Sequence, residues 1–173
     1  MLKNLALVLL VPSTVACHQP PPRDCTVGST IHVQVRSPIN DLSNRSIALE
    51  KGDSVAGTFD PTAALRVDAI AVQIGNGGAG ADGDIVLEIC QDGRCAKGAA
   101  AVQDGKDNDY LEVRLTPSLP LTFDGGAVSY VLKRESGARG ILVWAYPGFG
   151  GKTKLVNRDQ SSAETLNLMM RQY

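Results

Sequence analysis

Aromatic side chains are scarce in this chain: Phe, Trp and Tyr together make up 5% of 173 residues, with a single Trp. Histidine is scarcer, with two copies. His18 lies in a proline-rich stretch, and His32 alternates with apolar neighbours as a solvated strand residue does, so a His-activated nucleophile has no supporting constellation. An excess of either charge is missing as well. Seventeen Lys and Arg stand against eighteen Asp and Glu, net −1, which excludes holding nucleic acid or an anionic membrane by bulk electrostatics. No apolar run approaches the ~20 residues that span a bilayer. No segment carries a convincing 3.6-residue period, which excludes a helical bundle. What the chain does have is 43% hydrophobic residues, 18 Gly and 9 Pro, enough for a packed core broken by many turns.

From Thr26 onward the hydrophobic period is two. Ile31, Val33 and Val35 share one face, and Ile47 and Leu49 follow a turn-rich stretch. Ile70, Val72 and Ile74 precede the glycine-rich segment Gly75 to Gly83. Ile85, Leu87 and Ile89, then Leu111, Val113 and Leu115, then Val128, Tyr130 and Leu132 repeat the pattern. Ile141 to Tyr146 is apolar on both faces, as in a central strand covered on both sides. Strand-sized runs with turn signals at this spacing predict an all-β, antiparallel β-sandwich in a single domain. At the C-terminus Ser161-Ser162-Ala163-Glu164 fits a helix capping box. Leu166, Leu168 and Met170 alternate as in a strand, which is the preferred reading because an all-β body accepts a closing strand.

The first sixteen residues read as a secretory signal: Lys3, the apolar run Leu5 to Val11, then small residues to Ala16. Thr14-Val15-Ala16-Cys17 resembles a bacterial lipoprotein lipobox, which implies cleavage before Cys17 and lipidation of Cys17. Residues 17–27, with Pro20-Pro21-Pro22, form a stiff tether, and 28–173 the β-sandwich domain. The expected location is the bacterial cell envelope, lipid-anchored and facing the periplasm or the cell surface. Ordinary cleavage and a soluble periplasmic protein is the alternative.

Four cysteines in an exported chain point to disulfides. Cys90 and Cys95 flank Gln91-Asp92-Gly93-Arg94, whose Asp-Gly centre signals a type I′ hairpin turn. With Gln91 and Arg94 as the closing hydrogen-bonded pair, the two cysteines face each other where side chains approach most closely, and a disulfide is expected. Zinc is disfavoured because about four ligands are required. Cys25 is left without a partner if Cys17 is lipidated and pairs with it otherwise.

Three glycine-rich segments imitate ligand motifs. Gly75 to Gly80 matches the dinucleotide-binding GxGxxG spacing, but a strand and not a helix follows, so nothing receives a pyrophosphate. Gly77 to Asp82 matches one calcium-binding nonapeptide, a repeat that needs tandem copies. Gly151-Lys152-Thr153 ends like a phosphate-binding loop whose first glycine position is Tyr146. All three read as surface loops, and no nucleotide is expected.

Carboxylates gather at Asp82, Asp84, Asp104, Asp107 and Asp109, mostly as turn residues. Asp104, Asp107 and Asp109 are also the candidate ligands for a structural calcium ion; no other cofactor is expected. Trp144 and Tyr146 share one face of a strand. They either fill and cap the core, the ordinary role of such rings, or form a stacking platform for sugar at a strand end. The stretches Leu65 to Ile74, Ile85 to Cys90, Asp107 to Leu111, Val128 to Leu132 and Ile141 to Tyr146 resemble jelly-roll β-sandwich modules of the carbohydrate-binding type. That resemblance implies loop carboxylates holding calcium and aromatic side chains stacking on sugar. The expectation is a non-catalytic envelope module for cell-surface glycan, with Trp144, Tyr146, Asn76 and Asp82 in the site. The alternative is an envelope lipoprotein of inhibitor or immunity type that binds a protein partner.

Overall fold

The computed structural model describes residues 45–61, 64–78, 80–122, 124–147, 152–155, 160–162, 164–166 and 168–173. Cys17, the tether, Cys25, His32 and the strand expected at 31–35 lie outside the described residues. Twelve strands are described: β1 (Arg45–Leu49), β2 (Ser54–Phe59), β3 (Leu65–Gly75), β4 (Asp84–Gln91), β5 (Arg94–Ala101), β6 (Asp109–Leu121), β7 (Val128–Arg134), β8 (Ile141–Pro147), β9 (Lys152–Leu155), β10 (Gln160–Ser162), β11 (Glu164–Leu166) and β12 (Leu168–Arg171). One 3-10 turn, Val102–Asp104, interrupts them.

The chain pairs with itself in a nested series. β4 pairs with β5, β3 with β6, β2 with β7 and β1 with β8, each antiparallel. Rolling that ribbon up gives one four-strand layer in the order β1-β8-β3-β6 and a second in the order β5-β4-β7-β2. This is a jelly roll, an arrangement that covers both inner faces with each other's side chains. β9 and β10 extend the second layer beyond β2. β5 and β6 join the layers through a single pair, Lys97 with Thr116. Gly98 permits that approach, because a Cβ there would fall 2.9 Å from Val113 Cγ1 and closer still to the Arg114 backbone.

Alternation explains the core. Ile70, Val72 and Ile74 from β3, Ile85, Leu87 and Ile89 from β4, Leu111 and Val113 from β6, and Val128, Tyr130 and Leu132 from β7 are all buried. Leu166, Leu168 and Met170 are buried too, so the C-terminal segment closes the sheet as strand, in line with its two-residue period. Tyr130 packs at 6.3 Å from Phe59, ring to ring. Its hydroxyl accepts the Leu166 amide at 3.2 Å, tying the two layers through the core.

Strand β8 differs from the doubly covered strand its composition predicts. It is central in its sheet, between β1 and β3, and Ile141, Val143 and Ala145 are buried. Its other face is not covered: Leu142 is 38% exposed and Trp144 is half-buried. The sheet geometry accounts for this. β3 and β8 pair over two positions only, Ile74 with Val143 and Gly75 with Leu142. They then diverge, and β11 and β12 fill the wedge by pairing with β8 and β3 respectively.

The Asp92-Gly93 turn has positive φ at both residues, 51° and 76°, the signature of type I′. Cys90 sits opposite Cys95 in register, and their sulfurs are bonded at 2.05 Å.

Candidate functional site

At one end of the sandwich the β3–β4 loop, the turn before β6 and the β7–β8 loop converge around the uncovered face of β8. They enclose a concavity of about 430 Å3 lined by Gly75, Asn76, Gly77, Asp107, Asn108, Arg139, Gly140, Leu142 and Trp144, within the size range of small-molecule sites. Leu142 and Trp144 form the apolar part. Gly75 keeps that part open, since even a Cβ there would contact Leu142 Cβ at 3.4 Å.

One polar wall is set by Asp107. Its Oδ1 accepts the backbone N–H of Asn76 at 2.7 Å and of Gly77 at 2.9 Å, which pins the glycine-rich loop to the turn before β6. Asn76 braces the same junction. Its amide nitrogen donates to the Gly105 carbonyl at 2.9 Å, and its side-chain oxygen accepts from Gly78 N at 3.2 Å. Asn108 adopts a left-handed φ of 58° at the turn, a conformation Asn tolerates.

The opposite wall, Arg139 and Gly140, is positioned from below by a buried cation. Arg134 is fully buried and is the only buried charged side chain among the described residues. Its Nη2 donates to the carbonyls of Asp82 and, at 3.3 Å, Arg139, while Nε and Nη1 have no hydrogen-bond partner. Burial lowers its pKa, and the fields of Asp82, Asp84 and Glu50 oppose that shift. Asp82 Oδ1 accepts the Ala138 amide at 2.9 Å, the main reason its carboxyl is held below the ordinary carboxylate range. Ser136 Oγ donates to Asp84 Oδ2 at 3.0 Å and accepts from Asp84 N at 2.9 Å. Two loops are thus locked side by side by short polar contacts.

The structure brings Asn76, Asp107 and Trp144 to one pocket and leaves Asp82 outside it, as an organiser of the far wall. Tyr146 continues β8 on the parity of Trp144, but its side chain lies outside the described residues. Asp104 is exposed on the 3-10 turn. Asp109 opens β6, with Oδ1 accepting the Tyr110 amide at 2.7 Å. Among the described residues no group of three or more His, Cys, Asp or Glu has the geometry to hold a metal ion. Four pocket residues escaped the sequence reading as site residues: Asn108 and Gly140, ordinary turn residues, Leu142, hidden inside an apolar run, and Arg139, which no pattern marks. Arg134 did carry a signal, because it sits on the inward parity of Val128, Tyr130 and Leu132.

A second groove, about 500 Å3, crosses the outer face of the other sheet between Val86, Glu88, Lys97, Val131, Lys133 and Glu135. It has no aromatic side chain, and Lys133 and Glu135 are paired within it at 2.6 Å. Its chemistry offers a ligand less than the Trp144 pocket does.

The chain matches no known family model, no curated protein and no solved structure.

Proposed function

We propose that this chain is a non-catalytic binding module of the bacterial cell envelope, held to the membrane by lipid on Cys17, and that it takes a cell-surface glycan in the Trp144 pocket. One observation carries the reading. The only Trp of an aromatic-poor chain lies outside the core, in an open concavity with polar walls. A flat apolar ring beside hydrogen-bonding groups matches the two faces of a sugar. The described pocket contains no His, Cys, Ser or Thr, and its one carboxylate, Asp107, holds two backbone amides of the glycine-rich loop, which favours a binding role over a catalytic one.

A panel of immobilised glycans, run beside a pull-down from envelope extract, tests the ligand class. Binding to a glycan that Trp144→Ala abolishes, at unchanged fold, supports the reading. Capture of a protein with no glycan bound replaces it with a protein-interaction role. Replacing Cys17 with Ser is expected to release the protein into the soluble periplasmic fraction. Unchanged fractionation overturns the anchor, and Cys25 is then expected to be bonded to Cys17.

A further inference from the structure

The two polar walls of the pocket are chemically unlike, and the difference fixes the kind of sugar it accepts. On one side stand a carboxylate acceptor and an amide that both accepts and donates. Asp107 Oδ2 and the Asn108 side chain carry no hydrogen bond among the described residues, and both line the pocket. The one cationic group of the lining is the guanidinium of Arg139. It lies across the β3–β4 loop, with Nη1 3.0 Å from where a Cβ on Gly80 would be. Gly80, at φ +93°, leaves it that space. The guanidinium has no ion pair among the described residues.

The nearby acids are turned elsewhere. Asp82 is occupied by the amides of Ala138 and Arg139. Glu50 is not part of the pocket lining, although its carboxylate crowds the place that a Cβ on Gly140 would take, and it makes no ion pair with Arg139 among the described residues. Asp107 spends one oxygen on two backbone amides. The indole N–H of Trp144 is buried without a hydrogen-bond partner, so the ring meets the pocket through its apolar atoms and leaves the polar recognition to the walls.

We infer that the pocket selects an acidic sugar residue of the uronic-acid kind, its ring on Trp144, its hydroxyls toward Asp107 and Asn108, and its carboxylate paired with Arg139. The inference rests on the glycan reading given above and deepens it. Arginine matches a planar carboxylate with two parallel hydrogen bonds, an interaction stronger than neutral hydrogen bonding. The carboxylate also has to sit at the Arg139 end, because Asp107 repels it at the other. The pocket therefore fixes the direction of the sugar as well as its class.

The test uses the full-length protein with polygalacturonate, alginate and hyaluronan, each beside its carboxyl-reduced neutral counterpart, and dextran sulfate as competitor. At least one acidic glycan is expected to bind roughly tenfold tighter than its reduced form, the effect of one charge-assisted pair. Arg139→Gln is expected to erase that preference, so that the acidic glycan binds no tighter than its reduced form, at an unchanged melting temperature, whereas Trp144→Ala removes binding of both forms. Dextran sulfate is expected not to compete. Trp144-dependent binding with no acid preference, or a preference untouched by Arg139→Gln, overturns the acidic-sugar inference and leaves the glycan reading standing. Equal competition by dextran sulfate overturns the carboxylate assignment. Binding of no glycan, acidic or neutral, overturns both.

Discussion

Gln91 and Thr122 are bonded in both directions: Gln91 Oε1 accepts the Thr122 amide at 2.8 Å, and Gln91 Nε2 donates to the Thr122 carbonyl at 2.9 Å. The same Nε2 reaches the Gly126 carbonyl at 2.8 Å. A buried side-chain amide thus does for the β6–β7 connection what a strand partner would. Gln91→Leu keeps the volume but leaves a backbone N–H and two carbonyls without partners. A loss of about 2–4 kcal/mol is expected by chemical denaturation, since each unmet buried group costs on the order of 1–3 kcal/mol. A loss under half a kcal/mol would mean water replaces the amide with ease.

Gly137 is the second position where a small change reaches far. It has φ +123°, and a Cβ there would collide with Arg134 Nη2 and the Asp82 carbonyl. Gly137→Ala combines backbone strain with displacement of a buried cation, and about 2 kcal/mol or more of destabilisation is expected. Because Arg139 lies two residues on, glycan affinity should fall in parallel. A variant as stable as the parent would show that the β7–β8 loop relaxes freely.

Acid should loosen the far end of β3. Asp68 is held below the ordinary carboxylate range chiefly by the Ser118 hydroxyl, with help from the Tyr173 amide and Arg66 and against its own burial. A group whose pKa is lower folded than unfolded contributes stability above the unfolded pKa, and loses it as pH falls through the folded one. The melting temperature is therefore expected to decline as pH drops below about 4, the ordinary carboxylate range. Asp68→Asn should flatten part of that decline; Asp82 and Glu135, also lowered, supply the rest. An unchanged acid limb in Asp68→Asn would remove Asp68 from the account.

The Cys90–Cys95 bond closes a short ring, separation 5. Chain-entropy arithmetic for so small a loop gives about 2 kcal/mol, so the double Ser variant should remain folded with a lowered melting temperature. Free thiols at both positions in protein purified without reductant would contradict the bond.

Trp144→Ala separates a surface ring from a core one. Full truncation of a buried Trp costs on the order of 3–5 kcal/mol. Trp144 is only half-buried, with an unpartnered N–H, so the loss should fall below about 3 kcal/mol. A larger value would place the ring in the core energetics and weaken its role as a platform.

Much of the fold was legible because period-two alternation is a direct imprint of a half-buried sheet. Runs such as Ile85-Leu87-Ile89 and Val128-Tyr130-Leu132 announce their inward faces without any neighbour. The same parity, followed one step further, reaches Gln91 in β4 and Arg134 in β7, the two buried polar side chains of the described core. A polar residue on an apolar parity was the available sign that each strand ends by anchoring a loop. Strands β2 and β5 were less visible: SVAGTF and RCAKGAAA carry small residues whose alternation is faint. The pocket was half legible. Trp144 and Asn76 were reachable through aromatic scarcity and loop composition. Arg139 was not, because an exposed arginine in a turn looks like any other until the opposite wall is in place. Asp82 lies outside the concavity and holds the β7–β8 loop instead, through an amide partner 56 residues away that no local pattern announces.

The nested pairing has a consequence for when the site comes into being. β4 and β5 meet across a two-residue turn, whereas Arg45 must find Ala145 to seat β8. Closing loops of that span comes late, since chain entropy is lost before contacts compensate for it. The pocket is built on β8 and the loops flanking β3 and β7, so it belongs to the outermost, last-assembled shell of the ribbon. A chain in which β1 has not yet met β8 would lack the frame of the Trp144 concavity, and capture of a ligand there would report complete assembly.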